Sequence, residues 1–315
     1  MYRSTLRIVN TDVPDQLRLL ALVDRYGSLS GAADAWGLTA AAVTQRLARA
    51  ERDWGTALVR RGPRGAWLTP AGAVLAPYGE RVDQQVRAAT DAFDAFRGQA
   101  SHRLRIGAFM AAALHLLPPA LTALRHRHPD VDLTVVDLLS ANAVQAVAAG
   151  DLDVAVLATW DSPAATLPGV AVRHLLRDPL VVVLPDDHRL ARPGGGALRL
   201  RQLAHENWVV IRAGMAPRDQ FNRAAAQAGF EPQLRFETES YDVAQALVGT
   251  GVAVALVSRL ALTRASGTTW RPLVGPALHR DLYVAVAADT SLTPLVDTYV
   301  GLLTDVARDL KDGWA

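Results

Sequence analysis

From Ser28 to Gly55 two amphipathic segments, SLSGAADAWG and LTAAAVTQRLARAERDWG, follow one another almost without a join. Gly37 ends the first, Thr39 can cap the second, and only Leu38 stands between them. So tight a glycine-containing turn leaves the two helices little choice but a helix-turn-helix. In the first segment Ser30 is the expected cap, with Ala32, Ala33 and Trp36 as its apolar side. In the second, a rotation of 100° per residue from Val43 brings Leu47, Ala50 and Trp54 within about 40° of it. Ala41, Gln45, Ala48, Arg49 and Arg52 fall on the opposite side, at about 140–240°, and Thr44 and Arg46 flank the stripe. Gly55 is the expected stop.

That outward face carries small residues, an amide able to pair bidentately with adenine, and arginines. It can approach a major groove closely and still reach base edges. Upstream, DQLRLLALVDRYG is an amphipathic helix carrying Leu17, Leu20 and Val23. Downstream, LVRRGPRGAWLTPAG reads as a two-stranded wing turning at GPRG, with Arg60, Arg61 and Arg64 placed for phosphate or the minor groove. The expected DNA contacts are Thr39, Ala41, Thr44, Gln45, Arg46, Arg49, Arg52, Arg61 and Arg64. Charge agrees: residues 1–100 hold thirteen arginines against ten acids, and six of those arginines lie between Arg46 and Arg64. Taken alone, such a patch fits a solvated face as well as an anionic partner; the order of the elements decides for DNA.

Thr69-Pro70 is a cap followed by proline at the first helical position. A helix from Pro70 to about Arg97, roughly 40 Å long, would carry Val74, Tyr78, Val82, Val86 or Ala89, Phe93 and Phe96 at intervals of three or four, with Pro77 and Gly79 as kink points. A long stripe between two domains needs a cover, and a second copy of the helix supplies one. The alternative cover is the chain's own C-terminal domain.

Beyond Leu104 apolar runs such as LRIGAF, VDLTVV, DVAVLA, LVVVLP, NWVVI, VAVALV and LYVAVA alternate with helical stretches, which implies α/β sheets covered by helices. The chain has no cysteine, which removes disulfides and thiolate chemistry. It shows neither a secretory leader nor a run of about 18 apolar residues, so a cytoplasmic location is expected. His126 and His128 are spaced for different helix faces, Asp151 and Asp153 fit a helix-to-strand turn, and the glycine run in RPGGGALRL lacks the Lys-Ser/Thr of a phosphate loop. No metal site, cofactor or catalytic set is expected.

The run GSLSGAADAWGLTAAAVTQRLARAERDWGTALVRR followed by LTPAG resembles the LysR-type transcriptional regulators. The match rests on Gly27, Ser28, Ser30, Ala32, Ala33, Val43, Thr44, Leu47, Glu51, Gly55, Leu58, Arg61, Leu68, Thr69 and Gly72. It continues through RLRIGAF, LLPPALTALRHRHPDVDL, AGDLDVAVL, LVVVLPDDHRLA and GTGVAVALVSRLAL, so it covers nearly the whole chain from about residue 15. Three departures stand out. Thr39-Ala40-Ala41 replaces the usual Ser-Gln-Pro, which shifts base readout toward Gln45 and the arginines. Ala50 replaces a Leu, and Trp36 and Trp54 stand where Leu is usual, as compensating core volume.

The resemblance implies an N-terminal all-α winged helix-turn-helix (15–72), a linker and dimerisation helix (70–98), and a C-terminal α/β effector domain (103–310) built like a two-lobed type 2 periplasmic binding protein. Lobe 1 would comprise about 103–172 and 275–310, and lobe 2 about 178–268, with crossing strands near 170–180 and 266–274. Ligands of such folds sit beyond the carboxyl ends of strands, at helix N-termini. The expected effector site is therefore Phe109, Met110, Ala111, Asn142, Thr159 and Trp160 from one lobe, with Arg212, Met215, Glu239 and Tyr241 from the other. The hydroxyl that regulators of this type commonly place at the start of the first helix is absent from Met110-Ala111-Ala112. The expected effector is accordingly partly apolar, with any anionic group held by Arg212. Double-stranded DNA, a small-molecule effector, further copies of the chain as dimer or tetramer, and RNA polymerase are the implied partners. Two other classes remain in view, a solute-binding protein without a regulatory role and an enzyme on the same two-lobed fold.

Overall fold

The computed structural model describes residues 12–63, 65–96, 103–161, 163–192, 195–263, 265–275, 278–288 and 294–314. They form two compact units that divide after residue 100. Arg64, Arg97 and the end of the expected linker lie outside the described residues.

The first unit contains α1 (Val13–Tyr26), α2 (Leu29–Trp36), α3 (Ala40–Trp54), a hairpin of β1 (Val59–Gly62) and β2 (Gly65–Leu68), and α4 (Pro70–Phe96). Helix α2 is capped by Ser28, not Ser30: the Ser28 hydroxyl accepts from the Gly31 amide at 3.0 Å. Gly37 ends α2 in the left-handed region at φ 68°, where a side chain would be strained. Thr39 caps α3 by accepting from Ala42 N at 3.2 Å. Val43, Leu47 and Ala50 are fully buried against Leu19, Leu20 and Val23 of α1 and Ala32 and Ala33 of α2. Trp54 departs from the expected stripe; it is 41 % exposed, and its indole N–H donates to Gln16 Oε1 at 2.9 Å. Its polar edge is satisfied at the rim, so the bulk was not drawn into the core.

Glu51 explains an acid at the end of α3. Its Oε1 accepts from the amides of Leu58 (2.9 Å) and Val59 (3.3 Å), which starts the wing at a set point. The wing then docks on the turn between α1 and α2, where Ala66 N donates to Gly27 O at 2.8 Å. Thr69 donates to Ala57 O and accepts from Gly72 N, tying the start of α4 to the loop between α3 and β1. Helix α4 is continuous through Pro77 and Gly79. Gly79 is no kink point but the place where α1 crosses closest; a Cβ there would meet Leu17 O at 2.0 Å. Along α4, Val74, Tyr78, Val86 and Phe93 are half or more exposed. The side chain of Phe96 lies outside the described residues.

The second unit is a mixed α/β assembly in two lobes. Lobe 1 has β3 (Arg103–Ala108), α5 (Met110–His115), α6 (Leu117–Arg127), β4 (Asp132–Asp137), α7 (Ser140–Ala148) and β5 (Val154–Thr159), with β4, β3 and β5 parallel. The long β6 (Val170–Pro185) then passes into lobe 2. There follow β7 (Leu198–Arg199), β8 (Asn207–Ile211), α8 (Ala216–Gln227), β9 (Gln233–Thr238), α9 (Tyr241–Val248), β10 (Val254–Ser258) and β11 (Thr268–Val274). Strand β12 (His279–Ala287) and α10 (Pro294–Asp312) return to lobe 1. The strands run in the order β4-β3-β5-β12-β6-β10-β8-β9, with β11 also on β6.

Residues 170–179 of β6 pair with β12, and residues 180–185 pair with β10 and β11. The second crossing therefore falls between Val274 and His279, later than the 266–274 expected, because β11 is spent on lobe 2. Valine-rich strands such as β5 and the second half of β6 are buried on both faces, as strands covered by helices must be. Among the described residues no helix is long and apolar enough to cross a membrane.

Candidate nucleic-acid interface and effector cleft

Helix α3 exposes Thr39, Ala41, Gln45, Ala48 and Arg52, and leaves Thr44 half-buried. Two of the expected contacts are already engaged within the unit. Arg46 pairs with Asp15 at 2.5 Å and stacks on Trp36, 4.9 Å from the ring centre. Arg49 pairs with Asp12 and lies 4.0 Å from Asp53. The acids at the start of α1 thus partly neutralise the basic face. Gln45 and Arg52 keep their polar groups free of ion pairs among the described residues, and Arg61 stands exposed on β1. Arg64 at the wing tip lies outside the described residues.

In the second unit three of the expected effector residues converge, and they do so around a side chain that the sequence reading missed. Arg280, 5 % exposed, has Phe109, Trp160 and Tyr241 around its guanidinium at 4.8, 5.8 and 5.9 Å. Phe109 precedes α5 and Trp160 follows β5 in lobe 1, whereas Tyr241 opens α9 in lobe 2. Arg280 Nε donates to Asp178 Oδ2 at 2.8 Å and its Nη2 donates to Ser258 Oγ at 2.7 Å. Asp178 is fully buried and also accepts from Leu260 N at 3.0 Å. Both charges sit on the crossing strands, as register partners. The signal was readable: Arg280 shares strand parity with Leu282, Val284 and Val286, all fully buried, so it had to find a buried partner.

The remaining expected residues are more dispersed. Ala111 is buried, whereas Met110 and Asn142 are exposed. Thr159 and Met215 are half-buried. Arg212 and Glu239 are both exposed and pair with each other at 2.5 Å. That pairing occupies the cation expected to hold an anionic effector. Next to Trp160, Asp161 adopts the left-handed region (φ 53°) and reaches α8, where it accepts from Gln220 Nε2 at 2.8 Å and pairs with Arg223. Gln220 Nε2 donates also to His279 O at 2.9 Å, so one buried amide bridges the lobes. Among the described residues no three His, Asp or Glu are grouped to hold a metal ion.

A smaller cluster lies on the lobe 1 side of the crossing. Burial pushes the Asp281 carboxyl up, but hydrogen bonds from His174 and Arg177, with the charges of Arg177 and His279, outweigh this and hold it below the usual carboxylate range. A depressed carboxylate contributes stability above its unfolded value and loses it as pH falls through the folded value. Asp281→Asn should therefore unfold more readily than wild type at pH 6, and the difference should shrink below about pH 4, as read by denaturant titration across pH.

Residues 14–73 match the model of the bacterial regulatory helix-turn-helix proteins of the lysR family, and residues 97–308 match the LysR substrate binding domain. This chain is a member of the LysR family of transcriptional regulators. The family pairs a DNA-binding helix-turn-helix with an effector-binding domain, and both are present here. Similar curated members include the HTH-type transcriptional regulator ShiR of Corynebacterium glutamicum strain R, 30 % identical over 73 % of this chain and 77 % of that protein. The probable HTH-type transcriptional regulator LrrA of Synechococcus elongatus is 26 % identical over 94 % of this chain and 98 % of its own length. Among solved structures, full-length OxyR from Pseudomonas aeruginosa covers 94 % of each chain at a TM-score of 0.69 and 18 % identity. Full-length CbnR bound to its target DNA covers 93 % of this chain and 99 % of its own at a TM-score of 0.63 and 19 % identity. At such identities the structural likeness speaks for the LysR fold alone.

Proposed function

We propose that this LysR-family chain reads promoter DNA with α3 and adjusts its grip in response to a small molecule bound between the lobes of the second unit. The carrying observation is the exposed face of α3, where Gln45 and Arg52 stand clear of the acids that hold Arg46 and Arg49. Gln45 is the base reader, Arg61 and the wing meet phosphate, and Thr39, Ala41 and Thr44 allow close approach. Arg46 and Arg49 exchange Asp15 and Asp12 for phosphate on binding. The exposed Val74, Tyr78, Val86 and Phe93 of α4 are covered by the same helix of a second copy, giving the dimer that paired half-sites require; pairs of dimers form the tetramer.

The ligand selects one arrangement of the lobes about the β6 and β11–β12 crossings. That choice changes the spacing of the paired reading heads and, through DNA bending, access by RNA polymerase. The ligand is sensed and not turned over, and the protein works in the cytoplasm.

The test is binding to the DNA upstream of its own gene against scrambled DNA, at two salt concentrations. Wild type should prefer the native site, and affinity should fall steeply with salt. Gln45→Ala should lose about 1–3 kcal/mol of discrimination. Arg61→Ala should weaken both DNAs alike and lower the salt slope by about one. Equal binding of native and scrambled DNA by wild type would sink the reading.

A further inference from the structure

Reaching Tyr241, lobe 2 holds a cavity of about 20 Å³, room for one water or for a single oxygen of a ligand. Trp208, Arg218, Phe221, Tyr241, Leu180 and Leu256 are among its walls. Its chemistry is one-sided. The Trp208 indole N–H is fully buried with no acceptor among the described residues, and the Tyr241 hydroxyl is buried without a partner. Burial pushes that hydroxyl above the usual phenol range, so it stays a proton donor. Arg218 is 7 % exposed and held on one side only. Its Nε donates to Asn222 Oδ1 at 3.1 Å, and its Nη1 donates to Ile211 O at 3.2 Å and to Glu237 Oε1 at 2.9 Å. Nη2 has no partner among the described residues. No carboxylate or amide side chain lines the cavity.

Two buried donors without an acceptor, the Trp208 indole N–H and the Tyr241 hydroxyl, are costly in an otherwise apolar wall unless something supplies oxygen; each orphan forfeits about 1–3 kcal/mol. We propose that this cavity is the head-group subsite of the effector, and that the effector is a small monocarboxylic acid. Its carboxylate accepts from Trp208 Nε1, Tyr241 Oη and Arg218 Nη2, and its apolar body lies in the cleft against the Phe109 and Tyr241 rings. The inference rests on the reading of the second unit as an effector domain, and it moves the anionic anchor from Arg212, which Glu239 occupies, to Arg218. The size of the cavity admits only an oxygen of the head, so specificity for the body is set outside it by the aromatic residues around Arg280. Tyr241 belongs to both places, which makes its ring the divider between head and body.

The test uses the full-length protein and a panel of C4–C10 aliphatic and aryl monocarboxylates, each paired with its primary amide. Titration calorimetry gives affinity, and the ¹⁵N-indole resonance that disappears in Trp208→Phe reports the buried N–H. At least one acid should bind with its amide tenfold or more weaker, and the Trp208 indole proton should move downfield. Tyr241→Phe, which deletes one hydroxyl and keeps the ring, should weaken that acid by about tenfold or more; Arg218→Met should weaken it further. Amides that bind as well as acids overturn the proposal. So does an acid that leaves the indole resonance unmoved and is indifferent to Tyr241→Phe, since the donors then face ordered water. Loss of binding in Arg212→Ala with Tyr241→Phe unaffected places the head on Arg212 and overturns it too. If no acid binds, the proposal falls, while the effector-domain reading is judged separately by whether neutral or cationic metabolites change affinity for the upstream DNA.

Discussion

Asp178→Ala is expected to destabilise the second unit by about 3–5 kcal/mol, because it strands a buried guanidinium. Arg280 would keep only the Ser258 hydroxyl and the faces of three aromatic rings, and the Leu260 amide would lose its acceptor. Guanidinium denaturation of the full chain should show the loss in the transition of the C-terminal unit, with the N-terminal transition unmoved. The companion double variant Asp178→Leu with Arg280→Met should recover most of it, since replacing both members of a buried pair by apolar groups is often neutral. A single loss below about 1 kcal/mol would mean that water reaches the pair and that the crossing strands are not pinned by it. The double variant carries a functional reading as well. If stability returns while ligand response does not, the pair serves to couple the lobes and not merely to hold the strands together.

Gly79→Ala should destabilise the first unit, against the usual sign of that substitution. In an exposed helix interior alanine gains about 1 kcal/mol over glycine. Here the new methyl would sit 2.0 Å from Leu17 O and 2.4 Å from its carbonyl carbon. Both obstacles are backbone, so no rotamer can relieve them and α1 must move away from α4. Overpacking of this kind costs about 1–3 kcal/mol and occasionally more, which outweighs the gain in propensity. Because α1 supplies the partners of Arg46 and Arg49 and the floor under α3, affinity for upstream DNA should fall with stability. An unchanged or raised melting temperature would show that the two helices can separate freely. A milder control, Val74→Ala at an exposed position of α4, should leave monomer packing intact and act on dimer formation instead.

The local devices of the first unit could be read in one dimension. Thr39, Gly37 and Gly55 act on their own neighbours, and a rotation of 100° per residue is enough to bury Val43, Leu47 and Ala50 together. The cap of α2 was misplaced by two residues, from Ser30 to Ser28, because both serines can satisfy the same rule and only the observed extended backbone at Ser28 chooses between them. Periodicity also placed Arg46 and Arg49 outside the core, but it could not say that Asp15 and Asp12 stand opposite them. That depends on the crossing of α1 and α3, which is a property of packing.

In the second unit the same limit is sharper. Alternating apolar runs announce strands and a two-lobed α/β fold, and loops after strands announce where a ligand sits. Phe109, Trp160 and Tyr241 were found in this way, and they do meet. The group they meet on was not found. Arg280 comes 102 residues after Asp178 in the chain, and their bond exists only because β6 and β12 pair in one register. Arg218 was likewise hidden among exposed charges of α8, though it shares a face with Phe221 and Ala225. By itself, then, the sequence determined the elements, the cap and stop of α3, the family and the face that α3 leaves exposed, all matters of short range or of pattern. The tertiary structure alone decided which arginines are free and which are already paired, where the second strand crosses, and which donors are left without acceptors. Those depend on contacts between residues far apart in the chain, and a local periodicity carries no information about what lies across the gap.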